Sequence, residues 1–210
     1  MQLSVSHDIE IVQNILGTSS VTSESYFVGT DEAGRGPLAG PLVVAGVLFE
    51  KNIVIPNIFD SKKISEKKRD SLVPKIKEFA LAYHIEVISL SQIKELNIYQ
   101  ASKWGMIKCF LEIQKKINTQ VLLTDAMKIT FSELPNINVI SLIKGDQKSF
   151  HIAAASILAK TERDKIMLEL HQEFPMYHWN KNKGYPTKLH RSALQEFGVS
   201  PYHREGFKLT

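Results

Sequence analysis

The chain has 210 residues, 43% of them apolar and 23% charged, with 11 Gly and 8 Pro, proportions that fit one globular unit with a sizeable core and exclude a disordered or collagen-like chain. A single cysteine, Cys109, excludes a disulfide or a thiolate zinc site within the chain and points to a reducing cytoplasm. The formal net charge is only +4, no apolar run nears the roughly 20 residues that cross a bilayer, and the polar start through Gln2, Ser4, His7 and Asp8 lacks the pattern of a secretion signal, so a cytoplasmic protein without membrane contact is expected.

In chain order, residues 1–24 are an N-terminal extension: a short apolar patch at Ile9, Ile11, Val12, Ile15 and Leu16 predicts a short helix, followed by a Ser/Thr-rich connector. Residues 25–210 are expected to form one domain. Tyr26 to Thr30 and Leu42 to Phe49 are short, apolar and β-branched, and predict two strands joined by the Gly/Pro-rich loop DEAGRGPLAGP. Ser65 is a candidate N-cap for a helix to about Phe79, Leu81 to Ile88 predicts a strand, and Ile98 to Ile117 has helix-spaced apolar residues. Gln120 to Thr124 and Val139 to Ile143 predict two further strands. Helices follow from about Ser149 to Phe174 and from Thr187 to Phe197, the latter stopped by Gly198. Strands first, then alternation, then helices predict an α/β fold with a mixed sheet flanked by helices and a C-terminal helical segment from about 175 to 210.

Three acidic positions share one context. Asp31 with Glu32, then Asp125, then Asp146 each follow a predicted strand directly or within three residues, and sites of open α/β sheets gather at strand ends. Taken singly, such an acid is more often a turn former or helix cap. If they converge, their mutual repulsion calls for a hard, oxygen-preferring cation, Mg²⁺ or Mn²⁺; two such ions could serve phosphodiester cleavage. Gly34 and Gly36 flank Arg35, which lets backbone approach a sugar-phosphate beside a forked guanidinium. The loop lacks the dinucleotide and phosphate-loop spacings, the seven histidines lack a zinc pattern, and Ser149 and Ser156 lack a nucleophile-elbow setting. Basic residues cluster at Lys62, Lys63, Lys67, Lys68 and Arg69, and again after Pro175, where Lys181, Lys183, Lys188, Arg191, Arg204 and Lys208 face only Glu196 and Glu205. Such clusters can contact phosphates, although most lysine-rich surfaces are merely solvated. Tyr177, Trp179 and Tyr185 interleave with these lysines, a pattern suited to stacking; a core role is the likelier one for a lone Trp179.

The strand followed by DEAGRGPLAGP, the segment DSKKIS, the stretch KGDQKSFHIAAASILAKTERD, and the segments NKGYPTKLH and SPYHREGF together resemble the ribonuclease HII family, in that family's order, from about Phe27 to Phe207. The resemblance implies an RNase H-like fold and an endoribonuclease that uses Mg²⁺ or Mn²⁺. Its four catalytic, metal-holding carboxylates would be Asp31, Glu32, Asp125 and Asp146. Gly34, Arg35, Gly36 and Tyr185 would sense the ribose 2′-hydroxyl, so that RNA/DNA hybrids and single ribonucleotides in duplex DNA are cut on the 5′ side. Lys62 and Lys183 are further candidates for substrate binding, and a monomer is expected. Lys160 and Asp164, one helical turn apart, are expected to be a structural ion pair. Two departures stand out: Ala126 follows Asp125 where the family more often has glycine, and Asn182 precedes Lys183 where histidine is usual. Ribonuclease HIII is the nearest alternative, against which Arg35 and the short N-terminus argue. A catalytically silent hybrid-binding protein is the alternative from another class, and four intact acids argue against it.

Overall fold

All eight residues of the segment Leu42–Phe49 are buried, and this explains the layering. Alternate side chains of a strand leave opposite faces, so both faces of this strand need a helical cover. The computed structural model describes residues 3–17, 25–59 and 64–207. In chain order they form α1 (Val5–Leu16), β1 (Phe27–Ala33), β2 (Leu42–Phe49), α2 (Glu66–Phe79), β3 (Ala80–Ile88), α3 (Leu90–Gln114), β4 (Val121–Asp125), β5 (Asn138–Leu142), α4 (Phe150–Glu173), α5 (Trp179–Asn182) and α6 (Lys188–Phe197), with short 3₁₀ turns at Gly145–Gln147 and Pro175–Tyr177. The sheet order is β3-β2-β1-β4-β5. The first three strands are antiparallel to their neighbours, while β1, β4 and β5 run parallel, giving the mixed sheet expected.

On one face Val43, Ala45, Val47 and Phe49 pack against α2 and α4. On the other, Leu42, Val44 and Leu48 pack against α3 through Met106, Cys109, Phe110 and Ile113. Helix α4 lies so close to β1 that a Cβ at Gly29 would sit 2.4 Å from that of His151, which explains the glycine. The C-terminal segment builds its own small core, in which Trp179 is fully buried beside Met167, Tyr177 and Leu194; this is the core role its isolation favours. No helix among the described residues is long and apolar enough to cross a membrane.

Two boundaries differ from the sequence reading. Strand β1 runs on to Ala33, because β2 pairs with it at Asp31↔Ala45 and Glu32↔Val44; the two acids are therefore strand residues and not the start of a loop. Helix α3 begins at Leu90, where Ser89 and Gln92 form a capping box, and it breaks at Asn97 (φ 62, ψ 163). The Asn97 side chain restarts the helix by accepting from the N–H groups of Tyr99 and Gln100, which is why the apolar spacing is legible only from Ile98 onward.

Helix α1 packs on the sheet and α4 through Val5 and Val12 and is also bonded to α4 by a buried carboxylate. Asp8 accepts from Ser149 Oγ (2.9 Å), from the N–H groups of Phe150 (2.9 Å) and His151 (3.0 Å), and pairs with His151 Nδ1 (2.6 Å). These N–H groups belong to the first turn of α4, which has no intrahelical acceptor for them. Asp8→Ala strands these donors in a buried setting and is expected to cost about 2–4 kcal/mol. A urea melt should show a lower midpoint at unchanged slope; an unchanged midpoint would mean that the Asp8 bonds contribute nothing to α4.

Candidate active site

The parallel pairing Thr30↔Thr124 between β1 and β4 brings Asp31 and Asp125, each one residue further on, to the same level of adjacent strands and the same face, with strands about 4.8 Å apart. Asp125 closes β4, and its Oδ1 accepts the N–H of Gly145 at 2.7 Å. That bond fastens it to the 3₁₀ turn carrying Asp146, which is only 3% exposed. Lys144 enters this turn in the left-handed conformation, φ 57. Glu32 leaves β1 on the side opposite to Asp31, by strand alternation, yet its charge is felt there.

Asp31 concentrates the electrostatic tension. Burial first, then the charges of Glu32 and Asp125, push its carboxyl well above the usual aspartate range, and hydrogen bonds from Ser156 and from the Glu32 main chain only partly offset this. The latter is a 2.8 Å bond from the Glu32 N–H to Asp31 Oδ1. Among the described residues no three acidic, histidine or cysteine side chains are gathered closely enough to form a finished metal cage. The four acids are instead linked in series: Glu32 beside Asp31, Asp31 level with Asp125, and Asp125 tied through Gly145 to the turn of Asp146. The donor set nevertheless fits a hard divalent cation, being all oxygen, largely buried and charged beyond what neighbouring groups neutralise at Asp31.

Beside the acids lies a pocket of about 170 Å³. Glu32, Ser156 and Lys160 line it together with Gly34, Arg35, Gly36 and Tyr185. Arg35 is the exposed tip, 3.5 Å from Glu32 Oε1. Tyr185 is 39% exposed, with Lys160 Nζ and the Arg163 guanidinium each 5.8 Å from its ring centroid, a cation–π arrangement that steadies the ring. Gly34 has φ +105, and a Cβ there would lie 2.2 Å from Arg163 Nε, so only glycine fits.

Two buried arginines hold this loop in shape. Arg163 donates to the carbonyls of Ala39 (3.0 Å), Pro41 (3.0 Å) and Lys183 (2.9 Å). Arg204 donates to those of Arg35 (3.3 Å), Pro37 (3.1 Å), Gly40 (2.8 Å) and Pro41 (3.0 Å). The sequence counts Arg204 among the basic residues of the C-terminal cluster, but it is 2% exposed and spends its donors on main chain. Lys183 Nζ is held at the surface, at 2.7 Å from Asn180 O and 3.7 Å from Glu66. Lys62 lies outside the described residues. The Lys160–Asp164 ion pair is present at 2.6 Å and is shared with Arg69 at 3.1 Å; Lys160 also reaches the pocket, which its helical spacing does not foretell.

A mixed five-stranded sheet flanked by helices, with carboxylates at adjacent strand ends and a glycine-rich loop beside them, defines the ribonuclease H-like class of hydrolases. In fold the chain is similar to the ribonuclease H2 of Pyrococcus horikoshii, with a TM-score of 0.71 at 22% identity over 88% of this chain and 94% of that one. It is also similar to a Bst-RNase HIII solved with Mn²⁺, with a TM-score of 0.64 at 18% identity over 83% of this chain and 63% of that one. The family profile of Ribonuclease HII matches residues 28–210, and the chain belongs to that family. It is 47% identical to the Ribonuclease HII of Caldanaerobacter subterraneus subsp. tengcongensis over 87% of this chain and 74% of that protein. Against the Ribonuclease HII of Bacteroides thetaiotaomicron the identity is 46%, over 86% and 88%. The chain is accordingly a ribonuclease H, a hydrolase of a divalent-metal-dependent family that acts on RNA/DNA substrates.

Proposed function

We propose that this enzyme cuts the RNA strand of RNA/DNA hybrids and the 5′ side of single ribonucleotides in duplex DNA, leaving 3′-hydroxyl and 5′-phosphate ends, with Asp31, Glu32, Asp125 and Asp146 as its catalytic carboxylates. The observation that carries this is the buried Asp31 carboxyl, set against the charges of both Glu32 and Asp125. A pair of Mg²⁺ or Mn²⁺ ions held by these acids would supply water activation and charge neutralisation at the leaving oxygen. Ser156 and the Glu32 N–H orient the Asp31 carboxylate. Arg163 and Arg204 fix the Gly34–Pro41 loop, so its main chain meets a sugar-phosphate already shaped.

Recognition of ribose falls to Gly34, Arg35, Gly36 and Tyr185 around the pocket. Small backbone donors beside an aromatic ring can require the 2′-hydroxyl, the group that distinguishes RNA from DNA. Lys62 and Lys183 are kept as substrate contacts, and the Lys183 bond to Asn180 O also ties the Tyr185 loop. We assign the enzyme to ribonucleotide and RNA-primer removal, working as a cytoplasmic monomer, with residues 25–210 as the catalytic domain and about 175–210 as its substrate-binding segment.

Tyr185→Ala is expected to lower kcat/KM on a duplex with one ribonucleotide by about 10–100-fold, the worth of one stacking contact, and on a long hybrid by under about threefold. A gel assay of both substrates across a Mg²⁺ and Mn²⁺ series measures this. Equal losses would remove Tyr185 from ribose sensing, and an intact hybrid in every metal would refute the proposed activity.

A further inference from the structure

Below the Tyr185 loop lie two buried histidines that the proposed chemistry does not use. His190, on α6, has its Nδ1 3.0 Å from the main-chain oxygen of Tyr185. Its Nε2 lies 3.2 Å from Trp179 Nε1 and 3.0 Å from His203 Nε2. His203 Nδ1 accepts the Ser200 N–H at 2.9 Å.

Only one assignment of protons satisfies all these contacts. A carbonyl can only accept, so His190 Nδ1 carries a proton; an indole N–H can only donate, so His190 Nε2 is bare. His203 Nδ1 accepts from Ser200, so its proton sits on Nε2 and points at His190 Nε2, whose one lone pair is shared with the Trp179 N–H in a three-centre bond. Both rings are neutral, and the relay runs from Ser200 through His203 and His190 to the Tyr185 carbonyl. Protonating either ring would set N–H against N–H. Burial, and after it the neighbouring His190, holds His203 down to about 4, and burial chiefly lowers His190 as well, with Arg191 adding to it. The surrounding rings are Tyr177 and Trp179.

The stretch they hold is the one that aims Tyr185. Its N–H donates to Asn182 O at 2.8 Å, and the carbonyl of the preceding Gly184 accepts from Leu38 of the glycine loop at 2.8 Å. Asn182 is itself built in: its amide donates to Tyr177 O and its oxygen accepts the Gly184 N–H, each at 2.8 Å. A shift of the Tyr185 main chain therefore moves the ring against the pocket.

We propose that His190 and His203 are positioning residues for ribose recognition: as a neutral Nε2-to-Nε2 pair they anchor the Tyr185 main chain and thereby set its ring beside Gly36 and Arg35. This rests on the proposed role of Tyr185. The test compares kcat/KM on the single-ribonucleotide duplex and the long hybrid for wild type, Tyr185→Ala, His190→Ala, His190→Asn and the Tyr185→Ala/His190→Ala double variant. His190→Ala should lose about tenfold on the first substrate and under about threefold on the second. His190→Asn, whose amide nitrogen takes the place of Nδ1, should regain most of that loss, and the double variant should be no worse than Tyr185→Ala. Equal losses on both substrates, or a double variant showing both losses multiplied, overturns the proposal. Should His190→Ala not fold, His203→Gln, which keeps a donor to His190, must retain the selectivity that His203→Leu loses; like behaviour of the two overturns it. A selective Tyr185→Ala with a non-selective His190→Ala sinks this inference alone, whereas a non-selective Tyr185→Ala sinks the underlying reading of Tyr185 as well.

Discussion

Asp31→Asn is expected to lower cleavage of an RNA/DNA hybrid by about 10³-fold or more while hybrid binding changes by less than about threefold. In the proposed mechanism, losing this carboxylate removes a metal ligand and with it several kcal/mol of stabilisation of developing charge, whereas duplex affinity comes mainly from phosphate contacts elsewhere on the surface. The same variant should be more stable than wild type at pH 7. The folded state raises the Asp31 carboxyl above its ordinary value of 3.8, so its contribution is most favourable below 3.8 and is lost as pH rises through the higher folded value. Asparagine keeps an acceptor for the Glu32 N–H and carries no charge against Glu32 and Asp125. The melting temperatures of the two proteins should therefore differ at pH 7 and converge as pH is lowered toward 3.8. Full cleavage by Asp31→Asn, or a loss of stability at neutral pH, would contradict the assignment.

Arg204→Lys is expected to cost about 3–5 kcal/mol of stability, the second large effect. The planar guanidinium serves four carbonyls, those of Arg35, Pro37, Gly40 and Pro41, and a lysine ammonium cannot span that fork. Buried carbonyls left without a donor cost about 1–3 kcal/mol each, partly relieved here because Arg163 also serves Pro41. Urea denaturation should show the drop in midpoint, and cleavage of both substrates should fall together at temperatures where the variant is still folded, since the whole loop is loosened. A cost below about 1 kcal/mol would mean that Arg163 alone shapes the loop.

The sheet and the helices were legible because strands such as Leu42–Phe49 and helices such as Phe150–Glu173 carry continuous apolar signals bounded by caps at Ser65, Ser149 and Gly198. The proposed acids stand out in the sequence because each follows a predicted strand and because the resemblance names them; in the structure Asp31, Glu32 and Asp125 are strand residues themselves. Tertiary pairing was not legible. Nothing local says that β1 continues through Asp31 to Ala33, since it is β2 that supplies the pairing. Ser156 is hidden within a run of alanines on α4, and its hydroxyl gains meaning only from Asp31 across the interface. Arg163 and Arg204 look like surface cations in sequence; the carbonyls that satisfy their donors are 20 to 169 residues away. In sequence Asp8 looks like part of a peripheral extension for the same reason, as its partners begin 141 residues further on.

The most direct test is an anomalous-scattering map from crystals of the enzyme grown with Mn²⁺ and a hybrid. The account predicts Mn²⁺ peaks bounded by the carboxylates of Asp31, Glu32, Asp125 and Asp146, beside the backbone of the RNA strand. Peaks that leave out Asp31 or Asp125, in crystals whose dissolved protein still cleaves the hybrid, would contradict it.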